Sequence, residues 1–326
     1  MKSRMSRRMV LLLALGGLAG VLLWWQWFPL AREHGYRHLV TWGEGNSPES
    51  LVGPVGIALL QDEVFVSDAE AHRIVVYNRE GRYRRSFGER GSEAGQLDRP
   101  MHITARNGKL YVAEYLNDRI QVFSPSGESL AIVGTSGSGP GEFDAPGGVA
   151  VDEEGQLWVA DFYNHRVQLL DPNGTFVRQL GSPGEKGKLP GRFNYPTDVA
   201  ILGSGEVAVA DAYNDRIQLF SSSGETLRRW GGPFALGLAG PFHGWFRVAT
   251  GVASGPNDAL FVADFFNHRI QKLSSDGRFL IALGQPGSGA GQLDRPTDVA
   301  VAEDGRVFVA DFGNGRVQVF VQEGGS

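Results

Sequence analysis

One stretch decides the fold of this chain: Val159-Ala-Asp-Phe-Tyr-Asn-His-Arg-Val-Gln-Leu-Leu170, which recurs in six variants along the sequence. An acidic residue marks each copy, and successive markers stand 46, 47, 50, 53 and 47 positions apart. The six markers are Asp68, Glu114, Asp161, Asp211, Asp264 and Asp311. An arginine follows every marker by five positions, and an asparagine follows five of the six by three positions. A period of this length is typical of a propeller, in which each repeat forms one blade.

The residues within one repeat predict four strands. In the third copy, apolar stretches at 148–151, 156–160, 167–170 and 175–180 are separated by turns, of which Asp171-Pro-Asn-Gly174 is the clearest. Gly, Pro, Asn and Asp favour turns, and short apolar runs between them favour antiparallel strands. Six copies therefore predict an all-β protein with six blades of four antiparallel strands.

The last repeat ends after its third strand, so its outer strand must come from another part of the chain. The segment His38-Leu-Val-Thr-Trp-Gly43 precedes the first repeat and matches the outer strand Arg84-Arg-Ser-Phe-Gly88 of the first copy. We predict that this segment, within residues 38–43, pairs with the strand around residues 317–321. The pairing would close residues 38–326 into one ring and remove an exposed strand edge.

Two repeats contain the tripeptide Asn-His-Arg, at residues 164–166 and 267–269, and His72 occupies the same place in the first copy. In these motifs the chain resembles the NHL-repeat family, and the resemblance extends from Tyr36 to the C-terminus. It implies a six-bladed β-propeller but little about function, because unrelated sites are built on this scaffold. Since every blade carries the motif, we expect its acid and its arginine to pair and to fix the turn between the second and third strands.

Residues 9–31 form a stretch of 23 positions without a charged residue, and four basic residues lie before it within residues 1–8. A helix of this length spans about 34 Å, which is enough to cross a membrane. The basic cluster predicts an N-terminus inside the cell. We therefore expect a transmembrane signal-anchor helix in the inner membrane, a link at residues 32–37, and a propeller in the periplasm or outside the cell. A cleaved signal peptide is the alternative.

Charge and composition exclude several classes of function. Six of the 31 basic residues and one of the 36 acidic residues lie in the first 37 positions, which leaves 25 basic and 35 acidic residues for the propeller. A net charge of about −10 disfavours the binding of phosphate groups, so we expect no nucleic-acid partner. The chain has no cysteine, which excludes disulfides, thiolate catalysis and thiolate metal sites.

One place where the repeats differ is the start of the innermost strand, two residues after the proline or its equivalent. The residues there are Gly56, His102, Gly148, Asp198, Gly251 and Asp298. Innermost strands line the central channel, so His102, Asp198 and Asp298 could converge and bind a divalent metal or a polar ligand. The alternative is that each of them only caps the start of its own strand. No other cofactor is expected.

The chain also resembles the peptidyl-hydroxyglycine amidating lyases, which are NHL-like enzymes with zinc-binding histidines near the same strand starts. In that family the histidine directly follows the proline, whereas none of the corresponding positions here is a histidine. These positions are Val55, Met101, Gly147, Thr197 and Thr297. The zinc triad of that family is absent from this sequence, so the resemblance does not predict its lyase activity for this chain.

A second departure from the repeat is the aromatic and nearly uncharged segment 230–247, which contains Phe242, Trp245 and Phe246. Such a segment either forms a binding surface or folds over the ring and buries its side chains. The repeated loops add Tyr163, Tyr213 and Phe266 at one shared position. These three side chains are predicted to line one rim of the propeller.

Two functions remain open from the sequence. The first is a membrane-tethered binding scaffold whose aromatic rim takes a protein, a peptide or a glycan outside the cytoplasm. The second is a metal-dependent lyase or hydrolase with its site in the central channel. The sequence favours binding, since it offers no residue that can be named as nucleophile or base.

Overall fold

The structure, a computed structural model, describes residues 30–182 and 184–324. This part of the chain forms six four-stranded antiparallel sheets, which are the blades of a propeller. Residues 1–29, which include the predicted cytoplasmic segment and most of the predicted membrane anchor, lie outside the described residues. Within the described ranges, no helix has the length and apolar character needed to cross a membrane.

The strands follow one another from the channel outwards in each blade. Strand β1 (Tyr36–Trp42) precedes blade one, which consists of β2 (Pro54–Leu60), β3 (Glu63–Asp68), β4 (Arg73–Asn78) and β5 (Tyr83–Phe87). Blade two consists of β6 (Pro100–Arg106), β7 (Lys109–Glu114), β8 (Arg119–Phe123) and β9 (Ser129–Val133). The link to blade three contains the short parallel pair β10 (Thr135–Ser136) and β11 (Glu142–Phe143).

The remaining blades repeat this order. Blade three consists of β12 (Pro146–Val151), β13 (Leu157–Asp161), β14 (Arg166–Leu170) and β15 (Phe176–Gly181). Blade four consists of β16 (Pro196–Ile201), β17 (Val207–Asp211), β18 (Arg216–Phe220) and β19 (Thr226–Trp230). Blade five consists of β20 (Ala249–Ser254), β21 (Leu260–Asp264), β22 (Arg269–Leu273) and β23 (Phe279–Leu283). Blade six contains β24 (Pro296–Val301), β25 (Val307–Asp311) and β26 (Arg316–Gln322).

Helical structure in the described residues is limited to single 3₁₀ turns. They lie at Ala69–Ala71, Ala212–Asn214, Pro233–Ala235, Pro256–Asp258, Phe265–Asn267 and Phe312–Asn314. Four of these turns directly follow the acidic marker of a repeat, so they form the loop between the second and third strands of a blade.

Strand β1 supplies the fourth strand of blade six. It pairs antiparallel with β26, with Tyr36 opposite Gln322 and Trp42 opposite Val317. The sheet order β1-β26-β25-β24 therefore joins the start of the ring to its end. This pairing occupies the outer edge of β26, which would otherwise present unpaired backbone groups to a second chain.

The apolar core consists of layers between adjacent blades. Trp158 of blade three and Phe220 of blade four are buried in one such layer, and Trp42 of β1 packs with Phe308 in the layer between blades six and one. Each large apolar side chain that is fully buried contributes about 1.5–3 kcal/mol to stability. Because every layer needs both of its blades, the ring is held together by packing around its whole circumference.

The repeated acid and arginine are buried and paired, as expected for a structural motif. The carboxylate of Asp161 accepts hydrogen bonds from Nε of Arg166 at 2.8 Å and from Nδ2 of Asn164 at 3.0 Å. Nη2 of Arg166 also donates to the carbonyls of Gly139 and Glu142 in the preceding link. The motif thus fixes the conformation of its own loop and of the link that joins the preceding blade to this one.

In five of the six repeats, the side chain four positions after the marker links neighbouring blades. Nδ1 of His165 accepts the backbone N–H of Tyr195 at 3.1 Å, and Oδ1 of Asp215 accepts that of Val248 at 2.8 Å. His72 and His268 accept in the same way from Arg99 and Arg295. These histidines therefore position the start of the next innermost strand.

Candidate functional site

The six innermost strands β2, β6, β12, β16, β20 and β24 surround the central channel. At the second residue after each strand start, glycine alternates with an ionisable side chain around the ring. Blades one, three and five carry Gly56, Gly148 and Gly251, and blades two, four and six carry His102, Asp198 and Asp298. We refer to His102, Asp198 and Asp298 as the channel triad.

The structure brings the channel triad together. Nδ1 of His102 lies 3.3 Å from Oδ2 of Asp298 and 3.7 Å from Oδ2 of Asp198. One ligand atom from each residue can be chosen so that all of them lie within 4.8 Å of one another. All three side chains are buried, with only 4–5% of each residue exposed. Three ionisable groups from alternate blades therefore share one small space.

The two carboxylates are held by the backbone of the following blade. Oδ2 of Asp298 accepts the N–H of Ile57 at 2.9 Å, and Oδ2 of Asp198 accepts the N–H of Val252 at 2.9 Å. In contrast, Nδ1 of His102 makes no well-aligned hydrogen bond, because Oδ2 of Asp198 is 3.7 Å away and Oδ2 of Asp298, at 3.3 Å, lies off the N–H axis. The two carboxylates thus connect neighbouring blades. The position of His102 is not explained by a hydrogen bond from Nδ1 that caps the start of its own strand.

The alternating glycines make this arrangement possible. A Cβ atom at Gly251 would lie 2.7 Å from Oδ1 of Asp298, and one at Gly148 would lie 2.9 Å from Cα of Asp198. A side chain at either position would therefore collide with the neighbouring blade. The sequence shows these glycines as the ordinary residue of the repeat, but their role beside the triad becomes visible only in three dimensions.

Burial and mutual charge shift the pKa values of the triad. Burial alone would lower the pKa of His102, but the carboxylates of Asp198 and Asp298 outweigh it and raise the pKa to about 9. Burial raises the pKa of Asp198 to about 7, against the charge of His102 and together with the charge of Asp298. At neutral pH the imidazole is therefore mostly protonated, while Asp198 is poised to exchange a proton.

The channel widens beyond the triad into a cavity of about 490 Å³. Asp198 and Asp298 belong to its wall, and the innermost strands continue from there to Arg106 and Gly203 at the other end. The triad thus lies at one end of the cavity, where a small polar molecule could reach the carboxylates.

A cluster of aromatic rings lies on the same end of the propeller. Its members are Tyr115, Phe162, Tyr163, Tyr195 and Tyr213, and we refer to them as the aromatic cluster. Ring centroids are 4.8 Å apart for Phe162 and Tyr195 and 5.0 Å apart for Tyr195 and Tyr213. Tyr195 precedes Asp198 by three residues, so the cluster and the triad lie at the same strand start.

Two of the predicted rim residues are exposed members of this cluster. Tyr163 is 46% exposed and Tyr213 is 54% exposed. Tyr195 was not predicted, because it lies in the link before blade four and outside the repeated loop. Lys186 lies beside it, with Nζ 2.6 Å from the hydroxyl of Tyr195. Phe266 is also exposed, but it packs against Phe265 and Arg247 in blade five.

Segment 230–247 is mainly part of the core. Phe246 is fully buried in the layer between blades four and five, and Trp245 is only 7% exposed. At these two residues the segment therefore folds over the ring and buries its side chains, which is the second of the two interpretations given above. Phe242 is 39% exposed and contacts the ring of Trp245, which leaves it at the edge of this layer.

Solved structures with the same fold have diverse activities. A virginiamycin B lyase from Staphylococcus aureus, solved with quinupristin, is 17% identical over 89% of each chain, with a TM-score of 0.58. A gluconolactonase from Xanthomonas campestris is 14% identical over 83% of this chain and 86% of its own, with a TM-score of 0.63. The WD40 β-propeller domain of Doa1 is 11% identical over 89% of this chain and 98% of its own, with a TM-score of 0.62. Identities this low support a common fold alone.

Comparison with curated proteins gives no match. Comparison with protein families identifies the NHL repeat in three segments, at residues 143–168, 193–220 and 293–320. Each segment contains one of the repeated loops, in blades three, four and six. The chain therefore matches the NHL repeat in three blades of a six-bladed β-propeller.

Proposed function

We propose that this propeller is a binding scaffold that takes a protein or peptide partner on the aromatic cluster. The observation that carries the proposal is the exposure of Tyr163 and Tyr213 within a connected cluster of five aromatic rings. Tyrosine supplies a large apolar surface and a hydroxyl at low conformational cost, which suits it to binding surfaces. No covalent step is needed for this function.

The cluster is rigid enough to act as a preformed surface. Its loops are fixed by the buried pairs Asp161–Arg166 and Asp211–Arg216, each at 2.7–2.8 Å. The link that carries Tyr195 is held by the hydrogen bond from its backbone N–H to His165. A preordered surface loses less entropy when a partner binds.

Peptide selection tests this proposal. A displayed library of random peptides is selected on the full-length protein, and the affinity of the recovered peptides is then measured on variants. We expect the double variant Tyr163→Ser and Tyr213→Ser to bind them about tenfold or more weakly, because exposed aromatics at the centre of a contact carry much of its energy.

Tyr83→Ser is the matched control, since Tyr83 is 40% exposed on β5 in blade one. It should leave peptide affinity unchanged. Peptides that bind the double variant as tightly as the wild type would show that another surface is used.

We further propose that the scaffold is tethered to the inner membrane and faces the periplasm or the outside of the cell. The uncharged stretch 9–31 supports this, as does the attachment of the following residues to the ring. The N–H of Arg32 donates to the carbonyl of Leu280, and Oε2 of Glu33 lies 2.6 Å from Nζ of Lys272.

Protease added to spheroplasts should digest the propeller, and carbonate washing should leave the protein in the membrane fraction. Release into the soluble fraction would contradict the tether.

A metal-dependent lyase or hydrolase is the second candidate function, and the convergence of the channel triad favours it. A carboxyl with a pKa near neutrality, such as Asp198, can accept or release a proton during a reaction. Turnover of quinupristin or a gluconolactone by the wild type, together with its loss in His102→Asn, would support catalysis. The activities of the structural neighbours suggest these two substrates.

A further inference from the structure

We propose that the channel triad binds one divalent cation of the zinc class through Nδ1 of His102 and one carboxylate oxygen each from Asp198 and Asp298. The ligand atoms come from blades two, four and six and lie within 4.8 Å of one another. The proposal is independent of the partner assigned to the aromatic cluster. A failure to bind metal would leave the peptide-binding proposal intact.

Two separations within the triad are close to those of ligands around such an ion. Bonds from Zn²⁺ to nitrogen and oxygen are about 2.0–2.2 Å long, so two ligands at the tetrahedral angle stand about 3.4 Å apart. Nδ1 of His102 lies 3.3 Å from Oδ2 of Asp298 and 3.7 Å from Oδ2 of Asp198. Both distances from Nδ1 are therefore close to the separation of two ligands of one tetrahedral ion, and the third pair of ligand atoms lies within 4.8 Å.

The unpartnered nitrogen of His102 points to a ligand at this place. The residue is only 4% exposed, and its Nδ1 makes no hydrogen bond. A buried polar atom without a partner costs about 1–3 kcal/mol. The ion pairs with the two carboxylates remove only part of this cost, because neither carboxylate forms a well-aligned hydrogen bond with Nδ1. A cation in contact with the lone pair of the neutral ring would remove it.

The carboxylates are oriented in advance by second contacts. Oδ2 of Asp298 accepts one N–H from Ile57, and Oδ2 of Asp198 accepts one from Val252. An ionised carboxylate oxygen has a further lone pair, so one hydrogen bond leaves room for a metal bond. Contacts of this kind fix ligand orientation in metal sites and raise affinity.

The ligand set selects the class of ion. Two carboxylates and a neutral imidazole balance the charge of a divalent cation. Imidazole suits Zn²⁺ and its neighbours among the transition metals, whereas Ca²⁺ and Mg²⁺ favour sites made only of oxygen. Three protein ligands leave one position of a tetrahedral ion free. Asp198 and Asp298 line the channel cavity, so this position would be accessible to water or a small molecule.

Cobalt titration tests the proposal without any assumption about activity. The full-length protein is stripped with dipicolinate, dialysed and titrated with Co²⁺, whose visible absorption reports a tetrahedral site. We expect one Co²⁺ per chain, displacement of the cobalt spectrum by Zn²⁺, and a higher thermal midpoint with either ion, because a ligand that binds only the folded state stabilises it.

Matched variants separate the site from adventitious binding. His102→Asn and Asp198→Asn each remove one ligand at nearly constant size, and both should lose the cobalt spectrum. His38→Asn is the control, because this ring lies on the outer strand β1 and its Nε2 is already hydrogen-bonded to Oγ1 of Thr41. Circular dichroism verifies the fold of each variant, and Asp298→Asn replaces any that fails to fold.

Three results would overturn the proposal. The stripped wild type could bind neither Co²⁺ nor Zn²⁺, the folded ligand variants could keep the cobalt spectrum, or the protein could prefer Ca²⁺ to Co²⁺. The first result would assign the triad to a structural charge cluster. The second would place the ion elsewhere, and the third would contradict the assigned class of ion.

Discussion

His102 is a buried imidazole that faces two carboxylates within 4 Å. Without a bound cation, a proton on its ring is the natural counter-charge for Asp198 and Asp298. The pKa of His102 rises to about 9 for this reason, from an ordinary value of 6.5. Proton binding at this one residue is therefore coupled to the stability of the whole ring.

Metal-free protein should become less stable as the pH rises from about 6.5 to 9. The folded state holds the His102 proton more tightly than the unfolded chain does, so its contribution is complete below about 6.5 and is lost above about 9. The raised pKa of Asp198 acts in the same direction at lower pH, up to about 7. The expected loss is on the order of 3 kcal/mol.

Urea unfolding at pH 6.5 and pH 9.5, with chelator present, measures this loss. The His102→Asn variant is the comparison, because it keeps a polar side chain that does not titrate. Its stability should change much less between the two pH values. If the free energy of unfolding changed equally with pH in the wild type and in the variant, groups other than His102 would be responsible for the change.

Three of the six innermost strands, β2, β12 and β20, each approach the next innermost strand through a glycine. Gly56, Gly148 and Gly251 face the backbones of the next blades, and atoms of those backbones lie within 3 Å of the place where a Cβ would stand. The strands that carry His102, Asp198 and Asp298 can therefore lie in close contact with the innermost strand before them.

Gly148→Ala should destabilise the protein by roughly 1–3 kcal/mol, the usual cost of inserting a methyl group into a close-packed core. The new Cβ would lie 2.9 Å from the carbonyl oxygen of Thr197 and from Cα of Asp198, so strand β16 would have to move. Gly289→Ala is the control, since its Cβ would meet only the flexible side chain of Gln292. Thermal midpoints that fall equally in both variants would contradict this account.

The strands themselves were largely predictable from the sequence. The third repeat predicts strands at 156–160 and 167–170, and the structure has them at Leu157–Asp161 and Arg166–Leu170. Such strands can be predicted locally, because turn residues separate them and the same pattern of residues recurs in every repeat. The predicted all-β propeller with six blades of four antiparallel strands is confirmed.

The candidate site was only partly predictable. His102, Asp198 and Asp298 could be selected because they interrupt a row of glycines, but their separations depend on the packing of all six blades. Burial of Trp245 and Phe246 could not be predicted, because an apolar segment has the same composition whether it covers a core or binds a partner. Gln168, which donates to Asp161, follows its marker by seven positions and was overlooked as part of the motif.

The molecule as a whole is a ring closed by one strand from before the first repeat. Trp42 of β1 packs between blades six and one together with Tyr77, their ring centroids 4.6 Å apart. Loss of β1 would remove this side chain and expose the edge of β26. Both changes weaken the one blade that is assembled from distant parts of the chain.

Deletion of residues 30–42 should lower the thermal midpoint sharply and promote association, because an uncovered strand edge pairs with other chains. Deletion of residues 1–29 is the control, because it shortens the chain from the same end but leaves β1 in place. Differential scanning calorimetry and light scattering measure the two effects. If both deletions gave the same midpoint and the same particle size, the ring would not depend on β1 for closure.

The attachment of β1 also determines how the ring responds to a mechanical load. A pull on residue 30 first reaches the contact between Glu33 and Lys272, and then the pair Tyr36 and Gln322 at one end of the strand. From there the pairs separate one at a time, towards Trp42 and Val317. Tension from this side therefore acts first on blade six, the one blade whose outer strand comes from before the first repeat.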